Sequence, residues 1–155
     1  MDLMISKINS LKEKVSWTWK ETLAIYRRAP ETRLASSLSV IEVFVALYYG
    51  GVLRFNASNP LDEKRDRCII SKGHGSISMY PILADLGFFS KSELQDVCKS
   101  GSFLGGIPDP VIPGYETVNG SLGHGLGVAT GIALALKTKK SDSNVFVVTG
   151  DGELH

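Results

Sequence analysis

An α/β architecture is expected from the 155 residues, on three grounds. Two short apolar runs, Cys68-Ile69-Ile70 and Asn144-Val145-Phe146-Val147-Val148-Thr149, read as strands, and the second has the continuous apolar character of a strand covered on both faces in a parallel sheet. Stretches with helical spacing alternate with them in the second half of the chain. Each run ends in a glycine-bearing loop, Gly73-His74-Gly75 and Gly150-Asp151-Gly152, and open α/β sheets bind ligands outside those ends of their strands.

The first element is an amphipathic helix over residues 3–29, because Ile5, Ile8, Leu11, Val15, Trp19, Leu23 and Tyr26 recur at spacings of three and four. Pro30 ends it. Ser39 and Glu42 form a capping box that opens a second helix running to Gly50-Gly51, so residues 1–50 read as a helical lead-in. Residues 54–66, with Asn56, Asn59 and Pro60, read as a loop. The first strand is entered from Asp66-Arg67. After its glycine loop a helix spans about Ser76 to Leu86 and ends at Gly87. Ser90 and Glu93 cap a further helix that stops near Gly101. Ser102 to Gly114, rich in Gly and Pro, is a long irregular segment of the kind that often carries function. Glu116-Thr117-Val118 is a candidate short strand. The glycine cluster Gly120 to Gly127 then opens a helix to about Lys137 that is apolar on nearly every side and expected to be buried, with Lys137, Lys139 and Lys140 suiting its carboxyl end.

Composition narrows the function. Apolar residues at 43% and charged residues at 21% exclude a disordered or coiled-coil chain. Lys and Arg number 17 against 16 Asp and Glu, so a global basic footprint for nucleic acid is missing and an anionic ligand would need local design. Cys68 and Cys98 are too few for a disulfide framework and read as small hydrophobes, which fits a reducing cytoplasm. Met1 to Pro30 mixes Lys and Glu with apolar residues and carries no secretory signal; no run of about 18 apolar residues reaches across a membrane.

Asp151 between two glycines has a clear chemical use. Glycine lets backbone N–H groups approach an anion, and the carboxylate can hold a Mg²⁺ that the same anion ligates. Gly-Asp-Gly is equally a good turn. The Gly120–Gly127 cluster fails the dinucleotide fingerprint GxGxxG by one glycine, since Val128 or Thr130 falls at the third position, and no GxxxxGK[ST] exists. It serves either ligand approach or a packing seam of Gly123, Gly127 and Gly131. His74, held between glycines after a strand, is well placed to touch a ligand. His74, His124, Cys68 and Cys98 lack zinc-ligand spacing. Trp17, Trp19 and Tyr26 read as core or interface.

Three ordered segments resemble one family. Asp66-Arg67-Cys68-Ile69-Ile70-Ser71-Lys72-Gly73-His74-Gly75, Asn119-Gly120-Ser121-Leu122-Gly123-His124-Gly125 and Val147-Val148-Thr149-Gly150-Asp151-Gly152-Glu153-Leu154 are similar to motifs of the transketolases. The resemblance runs from about Thr22 to His155 and is nearest to split transketolases, whose amino-terminal half is a separate subunit. It implies a three-layer αβα thiamine-diphosphate-binding fold with a parallel sheet, of which residues 1–155 would be the amino-terminal portion of a single domain. It implies that His74 contacts the cofactor and acts in catalysis, that Gly120, Ser121 and Leu122 lie against the aminopyrimidine ring, that Asp151 ligates Mg²⁺, and that Gly152 gives a backbone contact to the diphosphate. The implied reaction is transfer of a two-carbon ketol unit between sugar phosphates. The implied partner is the carboxy-terminal, pyrimidine-binding half, in a dimer or larger homo- or hetero-oligomer.

The sequence departs from the family at three positions. Arg33 and Ile107 stand where family histidines attend the sugar, and His124 stands where glutamine is usual. Isoleucine cannot donate to a hydroxyl and arginine cannot act as a base near neutral pH, so a different acceptor or a degenerate site is expected. The family's metal-site asparagine would follow Asp151 beyond His155. Only two clear strands and one candidate are present, where such a sheet has about five or six, so the sheet edge and the apolar 122–136 helix are expected to lack cover within these residues. Residues 1–155 are therefore expected to be incomplete at the carboxyl end and inactive alone. Two other readings remain: a fragment or degenerate paralogue acting only by packing on a partner, and a condensation like that of 1-deoxyxylulose-phosphate synthase, which Leu34-Ala35-Ser36-Ser37-Leu38 resembles.

Overall fold

The computed structural model describes residues 2–155. Helix α1 spans Asp2–Arg28, within a residue or two of its expected bounds. Its buried face is shifted from the expected stripe. Thr18, Thr22 and Ile25 are fully buried, whereas Ile5, Ile8 and Trp19 are 36–50% exposed. Burial of the two threonines is tolerable because each hydroxyl donates to the carbonyl four residues back, Thr18 to Lys14 at 2.8 Å and Thr22 to Thr18 at 2.7 Å.

The single helix expected from Ser39 is instead two. α2 covers Leu34–Leu38 and α3 covers Ile41–Tyr49. The Ser39 capping box does not form, because Ser39 closes α2: its hydroxyl donates to the Ser36 carbonyl at 3.0 Å and accepts from Lys72 Nζ at 3.1 Å. Residues 54–66 are a loop, as expected. Asp66 pins it, accepting from the Arg54 amide and guanidinium at 2.9 Å and from the Asn144 amide at 2.7 Å. One carboxylate thus holds the entrances of both strands together.

Strands β1 (Arg67–Ile70) and β2 (Val145–Val148) pair in parallel, Arg67 opposite Val145 and Ile70 opposite Val148. Parallel neighbours need a long crossover, and residues 71–144 supply it. It begins with a 3₁₀ turn over Gly73–Ser78 that leads into α4, Met79–Asp85, so the expected glycine loop is itself helical. The helix expected from Ser90 to Gly101 is only a 3₁₀ turn, Lys91–Gln95. Positive φ at Cys98 (62°) and Gly101 (84°) turns the chain there. Glu116-Thr117-Val118 is not a strand: the Glu116 carboxylate is taken by the Arg65 guanidinium and the segment joins no ladder. α5 spans His124–Thr138.

The core gathers α1, α3 and α4 against one face of the short sheet. Phe44, Ile77, Tyr80 and Leu83 are at most 1% exposed. The irregular 102–114 segment is anchored there by Leu104 and Ile112, both fully buried, and Tyr80 Oη donates to the Gly105 carbonyl at 2.6 Å. Cys68 is buried, which pushes its thiol up to about 12; Cys98 is half-buried, and both are free thiols. α5 departs from the burial its apolar sequence suggests and matches the lack of cover expected from the few strands: only Gly125 and Ala129 are buried and Leu134 is 64% exposed. The packing-seam reading of Gly123, Gly127 and Gly131 finds little to pack on among the described residues: a Cβ at Gly127 or Gly131 would meet nothing within 4 Å, and one at Gly123 only the Glu153 carbonyl oxygen at 3.9 Å. Gly125 makes the close approach instead: a Cβ there would lie 2.7 Å from the Ser71 Cα. No helix among the described residues is long and apolar enough to cross a membrane.

Candidate functional site

Both strands end at one cavity of about 420 Å³, bounded by α2 and by the loops that follow β1 and β2. The local backbone explains its shape. Ser71-Lys72 leave β1 and turn at once into the Gly73–Ser78 helix. The turn is tight because a Cβ on Gly73 would fall 1.9 Å from the Asn119 carbonyl oxygen, so the two loops can touch only with glycine at that position. Asn119 is fully buried, and its Nδ2 donates to the Ile70 carbonyl at 3.0 Å, fixing the loop before α5 beside the end of β1. Its Oδ1 has no hydrogen-bond partner among the described residues. The turn after β2 closes on itself through Gly150, whose amide donates to Glu153 at 2.7 Å.

Four residues expected from the sequence line this cavity together: His74, Leu122, Asp151 and Gly152. Gly120 and Ser121 lie on the same loop as Leu122, exposed, but outside the lining. Arg33 lines a neighbouring groove that shares Ala35 and Ser36 with the cavity. Ile107 is 46% exposed in the irregular segment and lines neither.

The cavity also contains groups whose roles are not visible in the sequence. Lys72 is only 9% exposed, yet its ammonium donates to one protein oxygen alone among the described residues, Ser39 Oγ. An ammonium has three donors, and two of them have no protein acceptor among the described residues. Ser36, Ser39 and Glu153 complete the lining. The signal for Lys72 and Glu153 is their place inside the family-like motifs. Ser36 and Ser39 carry no such signal, since α2 is not foreseen from the sequence.

Glu153 carries the densest bonding. Its Oε1 accepts from the Ser71 hydroxyl at 2.8 Å and the Gly123 amide at 2.9 Å, and its Oε2 from the Gly150 amide. Partial burial pushes its carboxyl up, but these donors and the nearby His74 outweigh that and hold it below the usual range. Asp151 is exposed and makes no side-chain hydrogen bond among the described residues, leaving both oxygens available. The cavity therefore combines a free carboxylate, a nearly buried ammonium and side-chain-free backbone. A second cavity of about 460 Å³, lined by Lys64, Arg67 and Lys139, lies at the opposite ends of the strands, away from all of these groups.

Comparison with known proteins gives a consistent picture. Residues 9–155 match the family model described as transketolase, thiamine diphosphate binding domain. Over 134 residues the chain is 37% identical to one of the subunits of apulose-4-phosphate transketolase from Phocaeicola vulgatus, covering 86% of this chain and 47% of that protein. It is 32% identical over 149 residues to the transketolase of Pongo abelii, covering 96% of this chain and 24% of that one. The crystal structure of transketolase from Campylobacter jejuni superposes with a TM-score of 0.87 at 27% identity, covering 93% of this chain and 24% of that one. The chain thus spans about half of the first relative and a quarter of the other two.

Proposed function

The chain belongs to the transketolase family by its thiamine diphosphate binding domain, and from that premise we propose that it forms the diphosphate- and metal-binding half of a transferase moving two-carbon ketol units between sugar phosphates. The observation that carries this reading is the union of Asp151, Lys72 and the Gly150–Gly152 backbone in one cavity. Mg²⁺ takes one or two carboxylates and fills its shell with phosphate oxygens and water. Among the described residues no cluster of three or more His, Cys, Asp or Glu could hold a metal. Asp151, exposed and with no side-chain hydrogen bond among the described residues, suits a cation that arrives with phosphate oxygens already on it.

In this reading Asp151 would hold Mg²⁺, while Lys72 and the Gly152 amide would hold the diphosphate. Leu122, with Gly120 and Ser121 beside it, would face the flat aminopyrimidine. When bound, thiamine diphosphate supplies the carbon nucleophile of the transfer. The imidazole of His74 makes no side-chain hydrogen bond among the described residues, so it is free to hold or pass a proton at the cavity. A second, pyrimidine-binding half would complete the site, in a dimer or larger assembly. The Phocaeicola vulgatus relative supports this, since its name makes it one subunit of a transketolase for a sugar phosphate. Arg33 and Ile107 in place of the family histidines favour an acceptor other than the ordinary pentose phosphates.

Titration calorimetry tests the first step. In the complete protein together with its partner half, thiamine diphosphate should bind only with Mg²⁺ present, and Asp151→Asn should weaken that binding at least tenfold. A wild-type protein that binds no cofactor would overturn the proposal in favour of a packing-only role. In the same assembly, product analysis using a ketose donor against pyruvate separates ketol transfer from a synthase-like condensation. A normal rate on xylulose 5-phosphate would remove the inference drawn from Arg33 and Ile107.

A further inference from the structure

Among the described residues, the Glu153 side chain alone hydrogen-bonds to all three loops of the cavity. Ser71 follows β1, Gly123 precedes α5, and Gly150 follows β2; each donates to its carboxylate, at 2.8, 2.9 and 2.7 Å. The Gly123 bond has a further meaning. Among the described residues no other hydrogen bond joins the 119–123 loop to the 150–153 turn. In the reading above, those two segments face opposite ends of one ligand: Gly120–Leu122 the aminopyrimidine, and Asp151–Gly152 the metal and diphosphate.

We infer that Glu153 is a positioning residue whose carboxylate sets the distance between the ring-facing and phosphate-facing loops, and so sets cofactor affinity without touching the reacting atoms. The inference rests on the cofactor reading proposed above. The chemistry requires a carboxylate specifically. All three partners are donors, and an ionised carboxylate accepts at both oxygens and donates nothing. Glutamine has the same shape, but its amide nitrogen must face either the Gly150 amide or the Ser71–Gly123 pair. The Ser71 hydroxyl can rotate to accept; a backbone N–H cannot. Glutamine therefore leaves at least one backbone donor opposed by another donor, and the two loops lose their common anchor. Ser71 is in turn held in place by α5, whose Gly125 lies against its Cα and Cβ.

The test uses the full protein with its partner half and compares wild type with Glu153→Gln. Calorimetry with thiamine diphosphate at saturating Mg²⁺ should show affinity weakened about 10- to 100-fold, the range for losing a group that orients direct ligands. At saturating cofactor, kcat should return to within about threefold of wild type, with the sugar KM unchanged. Ser71→Ala, which removes one donor and keeps both backbone bonds, should weaken cofactor binding less than Glu153→Gln, and it carries the test where Glu153→Gln fails to fold. Equal cofactor affinity in wild type and both variants overturns the inference and leaves the cofactor reading standing. Unchanged affinity with a kcat loss that cofactor cannot restore also overturns it, because Glu153 would then act in the chemistry. No binding by wild type overturns the cofactor reading itself, and the inference with it.

Discussion

Helices α4 and α5 are similarly apolar in sequence and differ in surroundings. In α4 every residue from Met79 to Ala84 is buried, whereas α5 buries only Gly125 and Ala129 of its fifteen. α4 is enclosed by α1, α3 and the 102–114 segment. α5 rests on the two strands along one side, and Leu126, Leu134 and the neighbouring Leu122 are 43–64% exposed. Apolar content thus states what a helix can bury. What it does bury depends on the elements that come to meet it, and those are encoded elsewhere.

Substitution of one leucine in each helix gives the widest separation. Leu83→Ala should cost about 2–5 kcal/mol, because Leu83 is fully buried and its loss leaves a cavity. Leu134→Ala should change stability by no more than about 0.5 kcal/mol, as for other exposed positions. Urea denaturation of the two variants measures the pair. Comparable losses would break the comparison and show that α5 is covered in solution.

The second effect sits within α5. Gly125→Ala would drive a methyl into the Ser71 backbone, with 2.7 Å between Cβ and Cα. A shift of α5 or of the loop after β1 must follow, at about 1–3 kcal/mol. Because Ser71 also bonds Glu153, the same variant should weaken cofactor binding; a thermal melt with and without thiamine diphosphate and Mg²⁺ separates the two losses.

These contrasts also explain what can be read in the sequence. Both strands, His74 and Asp151 are legible, since each depends on a few consecutive residues at a strand end, whereas Leu122 and Gly152 are named only through the family resemblance and line the same cavity. The buried face of α1 is not legible, because Thr18 and Thr22 count as polar until their hydroxyls find the carbonyls four residues back. The Ser39 cap misleads for a nonlocal reason, as Lys72 recruits that hydroxyl from 33 residues away. Glu153 belongs to a family-like motif yet has no visible role in the sequence, since its partners lie on three separate loops. The exposure of α5 goes with the two-stranded sheet found among the described residues, which the strand count suggests and the apolar sequence of the helix does not.

Electrostatics distinguishes the two helices more weakly. At the end of α4, Asp85 accepts from Lys14, Lys91 and Tyr49, whereas no residue of α5 joins an ion pair among those described. Burial pushes the Asp85 carboxyl up, but those three donors outweigh it and bring it down to about 2. A carboxyl lowered on folding stabilises above its unfolded value, near 3.9, and loses that contribution as pH falls toward the folded one. After allowance for solvent screening of the exposed Lys91, the contribution is about 1 kcal/mol. Asp85→Asn should therefore lose about that much at pH 6, and the difference from wild type should shrink below about pH 4 and vanish only as pH falls below about 2. A constant difference across that range would assign the effect to packing.

The smallest effect has the opposite sign. Gly131 lies in the middle of α5, and a Cβ there meets nothing within 4 Å. Replacing an unobstructed helical glycine by alanine restricts the unfolded chain and raises helix propensity, for a gain of about 0.5–1 kcal/mol. Gly131→Ala should thus raise the melting temperature by a few degrees, while Gly125→Ala six residues earlier lowers it. The sign is the informative quantity, because propensity favours alanine at both positions and only contact can reverse it. A melting temperature lowered by Gly131→Ala would mean that another element or protein chain comes close enough to α5 to need the missing methyl. A rise would mean that the exposed face of α5 tolerates added bulk, and that the contrast with α4 holds in solution.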